Sequence, residues 1–320
     1  MKHTAQTPII VSRGEIDTAI GKVDAIAAME RAFADYSAGR ANITPVGEIL
    51  FPTMDGEAHI KSGHISGDEV FVVKVATGFY RNAGKGLPSN SGVVMVFSAG
   101  TGMLGAILLD EGYLTDVRTA AAGALAARFL APGRVSRIGI LGSGVQARLQ
   151  AEMLKGVTAC RSILLWGRRA SATEACARDL ERRGFAVDIA QTPAQVAANA
   201  NLIVTVTASK SALLAAVDIR PGTHITAVGA DTAEKQELAS DLLAAADVVA
   251  VDSLIQSRER GELRHAPGAA QKAVELGAIV SGHATGRTSD DQITIADLTG
   301  VAVQDIAIAK AVLHAIGKHT

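Results

Sequence analysis

The chain has 320 residues, more than one ordinary domain usually holds, so two domains are expected. Its 31 Lys and Arg residues nearly balance its 32 Asp and Glu residues, which argues against a chain that wraps nucleic acid or lies on an anionic membrane. A hydrophobic fraction of 48% excludes a disordered chain, and an aromatic fraction of only 3% is typical of helices packed closely on a sheet.

The first third of the chain predicts a short strand, helices and then an antiparallel sheet. Residues 8–11 predict the strand, and Ser12 with Glu15 three positions later makes a capping box at a helix start. Residues 25–37 have the apolar spacing of a helix. From residue 47 to 109, short apolar runs are broken by Asp-Gly, Gly-Asp and Gly-Leu-Pro turns, which indicates antiparallel strands.

No segment favours insertion into a membrane. Residues 92–109 carry no charge over a length that could span a bilayer, but the sequence SAGTG at 98–102 predicts a turn between two buried strands. The apolar stretch near the N-terminus is too short for a signal peptide. We therefore expect a soluble, cytoplasmic protein.

From residue 115 the pattern changes to a helix and then to alternating strands and helices. Residues 115–131 predict the helix, with Asp116 near its start and Pro132-Gly133 after its end. The alternation that follows has the spacing of parallel βαβ units, and its candidate strands are residues 137–141, 162–166, 186–189, 202–207, 224–228 and 247–251. Residues 293–296 are apolar but do not continue the alternation of strands and helices. Residues 303–316 predict the last helix of the chain.

A glycine-rich turn opens the alternating region. Residues 137–147, RIGILGSGVQA, predict a strand, a tight turn and the start of a helix. Gly142 allows the turn, Gly144 lets a pyrophosphate approach the backbone, and Ala147 replaces the third glycine where the helix packs on the strand. Phosphates would lie at the helix N-terminus, where unpaired N–H groups favour an anion. The alternative is a purely structural glycine turn.

The predicted cofactor is NADH or NADPH. An NAD-specific fold usually places an acid at the end of the second strand, whereas this chain has Trp166-Gly167-Arg168-Arg169 there. The two arginines could bind the 2′-phosphate of NADPH. If the two arginines are only solvated, NADH serves as well, so the choice between NADH and NADPH stays open. The predicted cofactor contacts are Gly142, Gly144, Val145, Gln146, Arg168, Thr207, Val228 and Gly229.

Four motifs together resemble a known family. LLDEGYLTDVRTAAAGALAA at 108–127, GILGSGVQA at 139–147, ITAVGAD with KQEL at 225–238, and ITIADLTGVAVQD at 293–305 are similar to the ornithine cyclodeaminase/mu-crystallin family. The resemblance runs over nearly the whole chain. It implies an NAD(P)-dependent and usually dimeric protein, in a family that includes cyclodeaminases, alanine dehydrogenase and reductases of imino acids.

The resemblance and the order of elements predict the same fold class. It is α/β, with a Rossmann dinucleotide-binding domain inserted into a mixed α/β substrate-binding and dimerisation domain. We expect residues 123–296 to form the Rossmann domain. Residues 1–122 and 297–320 are expected to form the substrate-binding and dimerisation domain.

Three functional residues follow from the resemblance. Lys74 matches the family's active-site lysine, which hydrogen-bonds the carbonyl or imine and the carboxylate of the substrate. Arg118 matches the arginine that binds the substrate α-carboxylate, a task suited to its planar fork. Asp231 matches the acid that orients the substrate nitrogen or a proton-carrying water. Plain surface charge is the alternative for Arg118 and Asp231, whereas a lysine such as Lys74 is costly to bury on an apolar strand without a role.

Two departures from the family pattern bear on the substrate. Many members have Pro-x-Arg where this chain has Pro45-Val46-Gly47, so one carboxylate-binding arginine is missing. Lys61 occupies the position where ornithine-processing members have a glutamate that faces the distal amino group. A lysine there repels an ammonium group and attracts an anion. An equally favoured interpretation is that Lys61 binds a substrate carboxylate in place of the missing arginine.

These residues predict an NAD(P)H-dependent imine reductase with iminosuccinate, reduced to aspartate, as its preferred substrate. Lys74 and Asp231 are the expected catalytic residues, Lys61 and Arg118 bind the substrate, and no metal is expected. The alternatives are reduction of pyrroline- or piperideine-2-carboxylate, alanine dehydrogenase activity, ornithine cyclodeamination, and a non-enzymatic crystallin-like NADPH-binding protein. The expected partners are a small imino or amino acid and a second copy of the chain in a homodimer, without nucleic acid or membrane.

Overall fold

The computed structural model describes residues 7–318, which its internal contacts divide into two units. Residues 7–118 and 301–318 belong to the first unit, and residues 119–300 to the second. The assignment of these units to substrate binding, dimerisation and cofactor binding stays a prediction. Part of the stretch considered for a signal peptide, residues 1–6, lies outside the described residues.

The first unit is built on a seven-stranded sheet. Its strands are β1 (Ile9–Val11), β2 (Ala41–Ile43), β3 (Gly47–Phe51), β4 (Gly56–Ile65), β5 (Val70–Phe79), β6 (Asn90–Ser98) and β7 (Leu104–Leu108). The order is β1-β7-β6-β5-β4-β2, and β3 also pairs with β4. All neighbours are antiparallel except β1 and β7, which run parallel. The antiparallel region and the hairpin in the uncharged run are thus confirmed.

Three helices accompany this part of the chain: α1 (Arg13–Ile20), α2 (Ala25–Ser37) and α3 (Tyr113–Leu130). The predicted capping box at the start of α1 is present, because Ser12 N donates to Glu15 Oε2 and Glu15 N donates to Ser12 Oγ. Asp110 accepts a hydrogen bond from Leu114 N at 2.9 Å and so satisfies a donor in the first turn of α3. Within the described residues, no helix is long and apolar enough to cross a membrane.

Besides residues 119–130 of α3, the second unit contains ten strands and seven α-helices within its described residues. The strands are β8 (Ile138–Leu141), β9 (Ser162–Trp166), β10 (Ala186–Ile189), β11 (Leu202–Thr205), β12 (Lys210–Leu214), β13 (His224–Ala227), β14 (Gln236–Leu238), β15 (Val248–Val251), β16 (Ala273–Glu275) and β17 (Thr294–Asp297). The helices are α4 (Val145–Leu154), α5 (Ala170–Arg182), α6 (Pro193–Asn199), α7 (Ser240–Ala245), α8 (Leu254–Arg260), α9 (Glu262–His265) and α10 (Leu276–Val280).

Eight of these strands form one parallel sheet in the order β10-β9-β8-β11-β13-β17-β15-β16, and β12 pairs with β14 separately. Neighbouring residues of β11 face opposite sides: Ile203 belongs to one buried apolar cluster, and Leu202 and Val204 to another. The clusters include residues of different helices, so the sheet is covered on both faces as a Rossmann fold requires. The predicted α/β fold class is confirmed.

The last helix, α11 (Ala302–Ala315), belongs to the first unit and packs against α2, β4 and β5. The prediction that residues 293–296 lie outside the alternation of strands and helices was wrong. β17 lies between β13 and β15 in the parallel sheet, because its buried apolar residues fit a central position with helices on both faces.

Candidate functional site

Two lysines face each other across neighbouring strands of the first unit. Lys61 on β4 lies directly opposite Lys74 on β5 in the antiparallel register, so both side chains leave the same face of the sheet. Only 7% of Lys61 and 2% of Lys74 is exposed. Two ammonium groups this close and this buried repel each other, so the pair needs a nearby acid.

Asp305, in the first turn of α11, supplies this acid. Its Oδ2 lies 3.1 Å from Lys74 Nζ, and its Oδ1 lies 3.2 Å from Arg118 Nε. Burial raises the pKa of Asp305, but the charges of Lys74, Arg118 and Lys61 together hold that pKa below its ordinary value. Asp305 is therefore an ionised carboxylate that bridges two cations.

The guanidinium of Arg118 is fixed by the start of α11. Its Nη1 donates to Gln304 Oε1 at 2.9 Å, and the same oxygen accepts from Val301 N at 2.9 Å. Arg118 is only 5% exposed. The interpretation of Arg118 as surface charge is therefore wrong, because a side chain inside the fold with two partners on one helix is held in a single orientation.

Lys74 and Asp110 have pKa values that shift towards each other. Burial lowers the pKa of Lys74; the charge of Asp305 opposes this, and the charge of Arg118 lowers the pKa further. Burial raises the pKa of Asp110, which is 1% exposed and interacts with the charge of Lys74. A lysine that releases its proton more easily than usual is suited to holding and passing on a proton during a reaction.

The glycine turn of the second unit has the geometry that a dinucleotide phosphate needs. Gly142 follows β8 with φ +126°, and a Cβ there would lie 2.7 Å from Val206 O, so only glycine fits. Gly144 is the N-cap of the ten-residue helix α4, and no side chain caps this end. A Cβ on Gly144 would meet nothing within 4 Å, so open space lies beside this glycine at the start of α4, where unpaired N–H groups favour an anion. The residues present therefore fit a dinucleotide.

The other predicted cofactor residues follow the carboxyl ends of neighbouring strands. Val145 and Gln146 open α4, Arg168 follows β9, Thr207 follows β11, and Val228 with Gly229 follows β13. Because β9, β8, β11 and β13 are consecutive in a parallel sheet, these positions share one edge, which is where such folds bind ligands. Arg168 and Arg169 are exposed, and Val145 is 47% exposed.

Asp231 also lies in the second unit, two residues after Gly229. Its Oδ1 accepts a hydrogen bond from Lys235 Nζ at 2.7 Å, and 38% of its side chain is exposed. The structure thus brings Lys61, Lys74 and Arg118 together in the first unit. No group of three or more His, Cys, Asp or Glu side chains that could hold a metal is found among residues 7–318.

Sequence reasoning missed Asp305 and Gln304. Both lie in the motif at 293–305 that contributed to the family resemblance, but neither was assigned a role. A signal was present: Asp305 is the only acid in α11, and apart from Gln304 the residues close to it in this helix are alanine, valine and isoleucine. An acid placed among buried apolar residues of a helix needs a cationic partner.

The chain is similar to known proteins over almost its entire length. A relative from Rhizobium meliloti, named as a dehydrogenase, is 42% identical over 292 residues, covering 89% of this chain and 88% of the relative. The iminosuccinate reductase of Paracoccus denitrificans is 31% identical over 315 residues, covering 97% of each chain. A solved archaeal alanine dehydrogenase, a dimer with bound NAD, superposes with a TM-score of 0.88 at 31% identity, covering 96% of this chain and 95% of that one.

The model of one family matches residues 7–319, which is nearly the full length. The match confirms the resemblance drawn from the four sequence motifs. The chain belongs to the ornithine cyclodeaminase/mu-crystallin family.

Proposed function

We propose that the protein is an NAD(P)H-dependent imine reductase whose preferred substrate carries two carboxylates, iminosuccinate, which it reduces to aspartate. The observation that carries the proposal is the buried pair of Lys61 and Lys74, directly opposite each other and close to Arg118 and Asp305. The likeness to an iminosuccinate reductase along the chain supports it.

The charge of this group suits a dicarboxylic imine. The three cations face two carboxyl groups, Asp305 and Asp110, so one net positive charge remains when all five are ionised. The same net charge remains if Lys74 gives its proton to Asp110. A protonated imine with two carboxylates carries one net negative charge, whereas one with a single carboxylate is neutral overall. Buried charges are favourable only when they are matched, so the dicarboxylic imine is the better ligand.

Each residue then has a distinct task. Arg118, held by Gln304 and Asp305, binds the α-carboxylate, and Lys61 binds the distal carboxylate. Lys74 and Asp231, directly or through water, supply the proton at the substrate nitrogen. The reduced nicotinamide, when bound, supplies the hydride to the imine carbon. We propose that the active assembly is a homodimer, and the solved archaeal alanine dehydrogenase, which is a dimer, supports this.

Reversing the charge of Lys61 tests the substrate. We expect Lys61→Glu to lower kcat/KM for iminosuccinate by about 100-fold more than kcat/KM for pyrroline-2-carboxylate, because only the dicarboxylic imine loses a buried charge partner and gains a repulsive one. Steady-state assays with both substrates measure the ratio. Lys22→Glu, the same reversal at an exposed lysine of the first unit, should leave the ratio unchanged. Equal losses for the two substrates after Lys61→Glu would refute the dicarboxylate assignment.

Arg168 tests the choice of cofactor. We propose that its exposed guanidinium binds the 2′-phosphate of NADPH. Arg168→Ala should therefore weaken NADPH binding by about tenfold and leave NADH binding unchanged. Fluorescence titration of both cofactors measures this. Arg178→Ala, at an exposed arginine of α5, is the control. A parallel change in both affinities would remove Arg168 from the phosphate site.

A further inference from the structure

Glu237, on β14 of the second unit, is a buried carboxyl group without a task in the reaction described above. It is 0% exposed. Its Oε2 accepts hydrogen bonds from Thr205 Oγ1 at 2.6 Å and from Gly229 N at 2.8 Å. Its Oε1 accepts from Thr207 N at 2.6 Å and Thr207 Oγ1 at 2.7 Å. Both oxygens are therefore fully used, which is how a buried carboxylate is stabilised.

The groups that Glu237 binds lie at the edge of the sheet where cofactor binding is predicted. Thr205 ends β11, and Thr207 and Gly229 lie in the segments that follow β11 and β13. These strands are neighbours in the parallel sheet, and β8 with the glycine turn flanks β11 on its other side. One carboxyl group thus ties together two adjacent segments at the carboxyl end of the sheet.

The packing around Gly229 leaves this arrangement little freedom. A Cβ on Gly229 would lie 2.1 Å from Thr207 O and 2.5 Å from the carboxyl group of Glu237. Glycine is required there because the backbone approaches both groups closely. The segments after β11 and β13 are consequently held against each other by hydrogen bonds and by contact.

Glu237 is itself held by a second buried acid, Glu262 at the start of α9. The oxygens of Glu262 accept from Glu237 N at 2.8 Å and from Leu238 N at 3.1 Å. Burial and the charges of Asp297 and Glu237 raise the pKa of Glu262 to about 9, so it is neutral near pH 7. Burial also raises the pKa of Glu237, and the hydrogen bonds from Thr205, Thr207 and Gly229 oppose this rise.

We propose that Glu237 is a positioning residue for the cofactor: it fixes Thr207 and Gly229 in the arrangement that the nicotinamide half of the dinucleotide contacts. The inference rests on the proposed NAD(P)H dependence. It assigns Glu237 no contact with the substrate. Its role is to prevent the two segments from separating, because each would otherwise have an unpaired N–H group inside the protein.

Glu237→Gln tests this role. An amide has only one accepting oxygen, and its NH2 group would face an N–H donor of Thr207 or Gly229. We expect NADH or NADPH to bind about tenfold more weakly in fluorescence titrations without any imine present, because a buried donor loses its acceptor. The KM for the imine at saturating cofactor should change by less than about twofold.

Thr294→Val provides the matched control. Thr294 is 0% exposed at the amino end of β17, and its hydroxyl contacts Leu130 O, His224 Nδ1 and Arg287 Nη2. This variant should lower the melting temperature but leave cofactor affinity unchanged. If Glu237→Gln lowers the melting temperature and also leaves cofactor affinity unchanged, Glu237 is only structural and the proposal is overturned.

Two further outcomes have defined meanings. If Glu237→Gln does not fold, Thr205→Val removes one of the hydrogen bonds to Glu237 in a nearly isosteric change and should weaken cofactor binding by about threefold. Unchanged affinity in Thr205→Val would then overturn the proposal. If the unmodified protein binds neither NADH nor NADPH, the cofactor assignment itself fails, and this result is separate from an effect confined to the variants.

Discussion

Replacing Lys74 by alanine is expected to lower kcat by at least about 1,000-fold, because the reaction then loses the group that we propose binds the imine and supplies its proton. The affinity for NADH should stay the same, since the predicted cofactor residues all lie in the second unit whereas Lys74 lies in the first. Steady-state kinetics measure the first effect, and fluorescence titration measures the second.

Lys310→Ala is the control for this experiment. Lys310 lies on α11 in the same unit, is 42% exposed and pairs with Asp68. Exposed ion pairs contribute little, so turnover should remain close to that of the unmodified protein. Turnover of Lys74→Ala at the level of Lys310→Ala would remove Lys74 from the mechanism.

Asp305→Asn is expected to impair both stability and catalysis. The amide leaves Lys74 and Arg118 buried without their shared counter-ion, which costs about 3–5 kcal/mol of unfolding free energy. The charge of Asp305 also raises the pKa of Lys74, so its removal lowers that pKa further. The alkaline limb of the kcat/KM profile should therefore move to lower pH. An unchanged limb would show that Lys74 does not titrate in the reaction.

The stability effect of Asp305→Asn should depend on pH in the acidic range. The pKa of Asp305 is held below its unfolded value, so its ionised form stabilises the fold above that unfolded value. This contribution is lost as the pH falls through the lower, folded pKa. The difference in melting temperature between the unmodified protein and the variant should narrow on acidification. Asp17→Asn, at an exposed ion pair on α1, should cause little change at any pH. A constant difference for Asp305→Asn would contradict the pKa shift.

Local sequence patterns predicted the strands of the parallel sheet better than their arrangement. Residues 162–166 and 186–189 are strands with the predicted bounds, because they are short apolar or β-branched runs between turn signals. The predicted strand at 202–207 ends at Thr205, since Thr207 turns its backbone N–H to Glu237. The position of β17 between β13 and β15 depends on pairing between segments far apart in the chain, which no local pattern encodes.

Among the buried charges of the first unit, the cations were predicted from the sequence, but the acids Asp305 and Asp110 were not. Lys74 stood out because a lysine on an apolar strand is costly to bury, and Lys61 because it departs from the family pattern. The partners of Arg118 lie at the start of α11, and its bond to Gln304 spans 186 residues of sequence. Only the folded chain brings α11 against β4 and β5, so the bridging role of Asp305 required the structure.

The most direct measurement is kcat/KM of the unmodified protein for three imines, followed by the absorbance of the reduced nicotinamide. Oxaloacetate with ammonia provides iminosuccinate, pyruvate with ammonia provides the corresponding monocarboxylic imine, and pyrroline-2-carboxylate is the cyclic imine. The buried lysine pair predicts that iminosuccinate has the highest kcat/KM, by at least about tenfold. A higher kcat/KM for either monocarboxylic imine would contradict the assignment of Lys61 to a second carboxylate.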